Sequence, residues 1–177
     1  MPTFGDTTSG AGSFPGSADR ALLSPATAAS GGTVDAIWVY VVLAIAGGNR
    51  MKGVMHADSA GAPGALVAAS NASSVITATG WNRIAVAGSP AFVAGNYWIG
   101  MVGDDGNLDY GEDSSGAGAV MANGTYSFAS PPASWPGTDA SYANVLVNCY
   151  VEYSTGGGGG GADDDPITSC FPVGYYE

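Results

Sequence analysis

The chain has 177 residues, of which 46% are hydrophobic, and a formal net charge of −11. This length fits one domain with a sizeable core. Binding of nucleic acid needs several cations aimed at phosphates, and the four basic residues are too few and too scattered for it: Arg20, Arg50, Lys52 and Arg83. Glycine is abundant and charged residues are scarce, which favours a β-rich domain over a helical one.

The cysteines and the N-terminus indicate where the protein is made. Cys149 and Cys170 are too few for a disulfide framework, which leaves a buried free thiol at Cys149 or one bridge between the two. The opening residues, MPTFGDTTSG, lack the basic region and apolar run of a secretory signal. No apolar stretch reaches transmembrane length. We therefore expect synthesis in a cytoplasm, unless a leader preceded this sequence and was removed, and no association with a membrane.

Residues 1–33 are mostly Gly, Ser, Thr, Ala and Pro. They predict an extended N-terminal arm with one or two short strands, the first of the body near residues 20–23, and Phe4 and Phe14 are the expected anchors. Residues 34–155 are then the body of the domain.

The body opens with a strongly patterned strand over residues 33–46. Ile37, Val39 and Val41 share one face of it, while Trp38 and Tyr40 share the other, because alternate side chains of a strand point to opposite sides. Both faces are apolar, which is typical of a strand covered on both sides. We expect one cover to be the opposite sheet and the other a terminal arm or another subunit.

Further short strands follow at the even spacing of a sandwich. The clearest alternation lies in residues 81–86 and 96–102, where aromatic and β-branched side chains dominate. The prolines of residues 130–138 exclude a central strand there. The other predicted strands cover residues 50–58, 65–69, 74–79, 108–111, 124–129 and 144–153.

The composition changes after the body. Residues 156–161 are six glycines, which predict a flexible tether. Residues 162–177 predict a C-terminal docking arm that fastens onto a neighbouring subunit, or else folds back on its own body. The apolar residues expected to form this assembly arm are Ile167, Phe171, Val173, Tyr175 and Tyr176.

Four segments together resemble one family of domains. They are FGDTTSGAGS (4–13), GVMHADSAGAPGALVAAS (53–70), the stretch 80–105 with GWNRIAV and AGNYWIG, and the stretch 130–153 ending NVLVNCYVEY. The sequence is similar to small jelly-roll β-sandwich domains of tailed-phage virion proteins and bacterial surface proteins. The resemblance implies an all-β, antiparallel, jelly-roll-like β-sandwich of about eight to ten strands, with extended N- and C-terminal arms.

One loop is a candidate metal site. Asp104, Asp105 and Asp109 lie in an acidic stretch, and calcium prefers oxygen ligands from a flexible loop. The spacing does not match the twelve-residue helix-flanked calcium loop, and an acidic solvated loop is the alternative. No other cofactor is expected.

Aromatic side chains are candidate glycan platforms. Trp135 lies in a predicted loop, and Tyr110 lies on the short strand predicted beside the candidate calcium loop. Trp135 has the alternative role of a plug that closes the end of the sandwich. Trp38, Trp81 and Trp98 lie within strand patterns and are expected in the core. His56 is the single histidine, so no catalytic residue set is evident, and we expect a strand histidine with satisfied hydrogen bonds rather than an enzyme.

These features favour a structural protein of the virion type, made in the host cytoplasm. The resemblance implies a capsid decoration or appendage subunit whose partners are further copies of itself or other capsid or tail proteins of the particle. The alternative is a carbohydrate-binding or adhesin module on an extracellular surface, with a host-surface glycan as its partner.

Overall fold

Two antiparallel sheets pack face to face in the structure, a computed structural model. The structure describes residues 1–44, 49–73, 75–76, 79–114, 118–122 and 125–155. The prediction of an all-β sandwich is confirmed. Within those ranges no helix is long and apolar enough to cross a membrane.

The chain forms fourteen strands within the described residues. In chain order they are β1 Thr3–Gly5, β2 Gly12–Pro15, β3 Ala21–Ala28, β4 Gly32–Ala44, β5 Met51–Ser59, β6 Ala62–Ala69, β7 Gly80–Ala85, β8 Ala91–Phe92, β9 Gly95–Gly103, β10 Leu108–Asp113, β11 Ala119–Ala122, β12 Thr138–Tyr142, β13 Leu146–Val147 and β14 Cys149–Ser154.

The strands divide between two sheets. Sheet A has the order β1-β14-β4-β10-β13, with β2 paired to β10 and with β7 and β8 paired to β4. Sheet B has the order β12-β11-β3-β9-β5-β6. Strands that are neighbours in a sheet are often far apart in the chain. β4, the long strand with two apolar faces, pairs with both β14 and β7 and lies at the centre of sheet A.

The main core lies between the sheets. Ile37, Val39 and Val41 point inward from β4 and have no exposed surface. Met55 and Ile99 face them from sheet B and are equally buried. Burial of each such side chain contributes roughly 1.5–3 kcal/mol, so this layer is the main source of stability.

A second, smaller core lies on the outer face of sheet B. Residues 125–136, which we call the strap, cross this face and cover Leu23, Val54 and Trp98. Backbone bonds attach the strap to β6: the Leu66 amide donates to the Ala133 carbonyl at 2.9 Å, and the Trp135 amide donates to the Gly64 carbonyl at 2.9 Å. Sheet B is therefore apolar and covered on both faces along part of its length.

The N-terminal region differs from its prediction. Residues 1–33, expected as an arm with one or two short strands, supply β1, β2 and β3 to the two sheets. β3 lies between β11 and β9, where Leu22 and Leu23 are buried. Eight residues pair in continuous register with β9, so this segment is an integral part of the sandwich.

Other strand predictions differ in detail. The strand predicted over residues 144–153 is divided at Asn148, because β13 pairs with β10 while β14 pairs with β4. Strands were also predicted over residues 74–79 and 124–129, but the described residues of these two ranges do not form strands. The strand β7 begins just after the first range, at Gly80. β11 and β12 were not predicted, since they are short and rich in small side chains.

Candidate functional site

Four aromatic side chains lie together on the outer face of sheet A. Trp38 and Tyr40 come from β4, Trp81 from β7 and Tyr150 from β14. Trp38 pairs with Tyr150, and Tyr40 pairs with Trp81, and directly paired residues share a face of the sheet. We call these four residues the aromatic patch.

The four rings contact one another in a continuous series. Trp38 stacks on Tyr150 with ring centroids 5.6 Å apart and planes inclined by 14°. Trp81 meets Tyr150 at 4.9 Å and Tyr40 at 5.2 Å, both edge to face. Such pairs stabilise by about 0.5–1.5 kcal/mol each, so the rings hold one another in place although all four remain partly exposed.

An ion pair borders the aromatic patch. The Arg83 guanidinium lies 2.6 Å from Glu152 Oε1, and Trp38 Nε1 donates to Glu152 Oε2 at 2.8 Å. The hydrogen bond from Arg83 holds the pKa of the Glu152 carboxyl below its usual range. Glu152 is therefore ionised at neutral pH, and it joins the charged edge of the surface to its aromatic centre.

The opposite edge of the patch rests on backbone and on a polar network. A Cβ at Gly111 would lie 2.6 Å from Tyr40 Cδ1, so the Tyr40 ring packs directly on this glycine. Asn148 has no exposed surface, and it donates to Asp6 Oδ2 at 2.6 Å and accepts from the Gly10 amide at 3.0 Å. The N-terminal segment is thereby fixed beside the patch.

The candidate calcium ligands do not converge in the structure. Asp104 Oδ1 accepts from the Arg50 amide at 2.8 Å, and Asp105 Oδ1 accepts from the Asn107 amide at 3.0 Å. Asp109 lies on β10, paired with Leu43. Across the described ranges, no group of three His, Cys, Asp or Glu side chains is arranged to hold a metal. The Asp105 carboxylate instead fixes the backbone of its own loop, and the Asp104 carboxylate ties that loop to the residue that precedes β5.

Tyr110 is not a surface platform, and that prediction is wrong. It lies on β10 opposite Val41 and points into the main core with 2% of its surface exposed. Its hydroxyl has no hydrogen-bond partner in the part of the chain that the structure describes. Burial raises the pKa of Tyr110, so the ring is both neutral and inaccessible.

Trp135 lies in the strap and is partly buried. Its ring centroid is 5.5 Å from His56 and 5.8 Å from Tyr126, and its Nε1 donates to Thr138 Oγ1 at 3.1 Å. With these contacts, Trp135 packs as a plug and not as a free platform. It covers the outer face of sheet B, whereas the prediction had it close the end of the sandwich.

His56 has both ring nitrogens in hydrogen bonds, as expected for a satisfied strand histidine. Nδ1 lies 2.9 Å from the Gly64 carbonyl and Nε2 lies 3.0 Å from the Tyr126 hydroxyl. His56 and Tyr126 have no exposed surface, and burial lowers the pKa of the imidazole. The histidine is a structural link between β5 and the strap.

The cysteine and arm predictions have different outcomes. Cys149 is a buried free thiol, and burial raises its pKa. Cys170 and the predicted assembly-arm residues lie outside the described residues, within positions 156–177.

The sequence identified some members of the aromatic patch but assigned them differently. Trp38 and Trp81 were expected in the core, and both are partly exposed on the outer face of sheet A. Trp98 is 8% exposed beneath the strap, in the second core. The two-sided apolar pattern of residues 33–46 already indicated that Trp38 lies on the second face of its strand. The contact of Tyr150 with Trp38 could not be predicted, because it depends on the pairing of β14 with β4.

No protein-family model matches this chain, and no curated protein matches it in sequence.

Proposed function

We propose that the chain is a structural subunit of the virion type, a capsid decoration or appendage protein that assembles through its sandwich and its terminal segments. The observation that carries this proposal is the aromatic patch. β4 is apolar on both faces, and the main core covers one of them. On the other face, two rings of β4 join one ring each from β7 and β14, and all four are partly exposed to solvent. A second protein surface is the natural cover for such a face.

The chemistry of the patch suits a contact between proteins. Tyr, Trp and Arg are enriched among the residues that dominate binding energy, and they act best at the centre of an interface surrounded by polar groups. The aromatic patch has this arrangement, with Arg83 at its edge and 41% of that side chain exposed. The ring contacts already order the aromatic side chains, so little conformational entropy is lost when they are covered.

We propose that the cover is a neighbouring copy, which contributes its C-terminal segment. Residues 156–177 follow β14 directly, the strand that carries Tyr150 into the patch. Their apolar side chains, Ile167, Phe171 and Val173 among them, are of the type that packs on aromatic rings. Closed symmetric assembly is the usual outcome for a subunit with one such surface.

The test compares assembly of four proteins by light scattering after size exclusion and by electron microscopy. They are the full chain, residues 1–155, Trp81→Ser in the patch, and Val93→Ser, which changes an apolar residue that is 73% exposed outside the patch. We expect assembly of the full chain and of Val93→Ser, and dispersed folded monomers for the truncation. Loss of a hot-spot tryptophan should weaken association at least about tenfold.

Two results would contradict the proposal. One is a full chain that stays monomeric at concentrations of about 0.1 mM, where even micromolar interfaces are occupied. The other is a truncated chain that assembles as the full chain does, which would remove the C-terminal segment from the contact. Circular dichroism of each variant separates lost assembly from lost folding.

The alternative function, a carbohydrate-binding or adhesin module, loses both of its predicted platforms, because Tyr110 lies in the main core and Trp135 packs in the strap. A carbohydrate site on this fold therefore has to use other residues.

A further inference from the structure

A cleft of about 500 Å³ opens on the outer face of sheet B beside the area that the strap covers, and Trp98 belongs to both. Three adjacent strands form its floor, in the order β3, β9 and β5. Pro25 pairs with Trp98 and Thr27 pairs with Asn96 across β3 and β9, so these four side chains share the outer face. The remaining wall is the end of β5 with its turn, through Asp58 and Gly61.

Asp58 is held in position by the protein. Trp98 Nε1 donates to Asp58 Oδ1 at 2.8 Å, and the Gly61 amide donates to Asp58 Oδ2 at 3.1 Å. Ala60 and Gly61 have φ of 55° and 82°, the two left-handed positions of a tight hairpin turn, which aims the Gly61 amide back at the carboxylate. An ionised carboxylate accepts about four hydrogen bonds, so roughly half of its capacity remains for a ligand.

Asn96 is oriented in a complementary way. Its Oδ1 accepts from the Thr27 hydroxyl at 2.9 Å, which leaves the Nδ2 group as a donor. No described residue accepts a hydrogen bond from this nitrogen, and Asn96 is exposed at the mouth of the cleft. The cleft thus holds a fixed acceptor, Asp58, and a fixed donor, Asn96, on neighbouring strands.

Pro25 and Trp98 supply the apolar part of the cleft. Their side chains lie directly opposite each other beside the polar pair, and Trp98 is mostly buried and therefore rigid. The volume falls in the range of small-molecule sites, about 300–1,000 Å³, which are mainly apolar with a few placed polar groups.

We propose that this cleft binds a neutral sugar residue. Two hydroxyls of a sugar donate to the free acceptor positions of Asp58, a third oxygen accepts from Asn96 Nδ2, and the C–H side of the ring packs against Pro25 and Trp98. The site goes beyond the structural role proposed above and does not depend on it. It also gives the carbohydrate-binding alternative a location that neither Trp135 nor Tyr110 provides.

The charge of the cleft selects among ligands. Asp58 is the one ionisable carboxylate among the described residues that line the cleft, and none of those residues is a lysine or an arginine. An anionic sugar therefore meets a like charge with no cation to offset it. A compact cation meets a carboxylate already hydrogen-bonded to two N–H groups and an amide that presents a donor. A neutral polyol uses both the acceptor and the donor.

The experiment is a titration of the ¹⁵N-labelled full chain with glucose, galactose, mannose and N-acetylglucosamine, each up to about 50 mM, which covers the millimolar affinity of small ligands. The indole N–H resonance of Trp98 is the local readout, because that proton is bonded to Asp58. The uronic acid and the amino sugar of the same configuration are the charged comparisons.

Two variants and one control locate the binding. Asp58→Asn removes the charged acceptor, and Asn96→Ala removes the donor at an exposed position where folding is not at risk. Asp109→Asn on sheet A removes an equal charge elsewhere. We expect saturable shifts of the Trp98 resonance with at least one neutral sugar, about tenfold weaker binding for Asp58→Asn, and affinity within about twofold for the control. The uronic acid should bind at least about fivefold more weakly than its neutral parent.

Three results would overturn the proposal. The first is the absence of any shift of the Trp98 resonance with the neutral sugars. The second is unchanged binding in both Asp58→Asn and Asn96→Ala, which would place a sugar site elsewhere on the protein. The third is binding of amino sugars alone, which would make the cleft a cation site. Each is distinct from a failure of assembly, since Trp81→Ser should leave the titration unchanged.

Discussion

Replacing Tyr126 by phenylalanine removes one hydroxyl from the small core beneath the strap. That hydroxyl lies 3.0 Å from His56 Nε2, and both side chains are fully buried. His56 Nδ1 faces the Gly64 carbonyl, which only accepts, so Nδ1 carries the proton in the neutral ring. Nε2 is then an acceptor, and the Tyr126 hydroxyl is its donor.

The cost of Tyr126→Phe follows from that geometry. The ring of the phenylalanine keeps the packing against Trp135, but Nε2 is left buried without a donor. An unsatisfied buried polar atom costs about 1–3 kcal/mol. For a protein of this size each kcal/mol lowers Tm by about 2–4 °C. We expect a loss of stability in this range, measured by urea and thermal unfolding followed by circular dichroism.

Tyr110→Phe is the matched control. It removes the same atom from a tyrosine that is 2% exposed, but whose hydroxyl has no hydrogen-bond partner in the described part of the chain. This change should leave stability unchanged or raise it, since a buried polar group without a partner is removed. Equal losses in the two variants would refute the reasoning, because the bond to His56 would then contribute nothing beyond burial of a phenol.

Two further changes test other parts of the fold. Burial lowers the pKa of His56, so the unfolded chain takes up a proton near pH 6.5 while the folded chain does not. The free energy of unfolding therefore declines as the pH falls below this value, and the contribution of His56 is complete above it. Unfolding at pH 7 and pH 5.5 should show this decline in the wild type and not in His56→Gln, and identical pH dependence would exclude His56 as its source. Gly111→Ala should cost about 1–3 kcal/mol, because its Cβ would lie 2.6 Å from Tyr40. Gly106→Ala is the comparison, since the nearest atom to its Cβ is at 3.5 Å, and equal melting temperatures for the two variants would contradict the close approach of Tyr40 to the sheet.

Several elements were readable from local pattern alone. The alternation in residues 33–46, 50–58, 81–86 and 96–102 corresponds to β4, β5, β7 and β9 with small differences at the ends. Such strands can be predicted from sequence because alternate residues form an apolar face. Short strands of small residues, such as β11, carry no comparable signal, and β3 was underestimated because Ser24 and Pro25 interrupt its apolar run.

The candidate surfaces were harder to predict, because they join residues that are distant in the chain. Trp38 and Glu152 are 114 positions apart, and their hydrogen bond exists only because β4 pairs with β14. Tyr110 lies in a glycine- and aspartate-rich sequence typical of a loop, yet pairing with β4 turns its ring into the core. The cleft beside Asp58 likewise needs three strands in register.

The amino-acid sequence by itself determined the class of the fold and the two-sided character of β4, because side-chain alternation is a local property of an extended chain. Only the tertiary structure decided which aromatic rings remain at the surface, which face the strap covers, and that Asp58 and Asn96 line one cleft. Those outcomes depend on the pairing register of strands, and a shift of one residue moves every side chain of a strand to the opposite face.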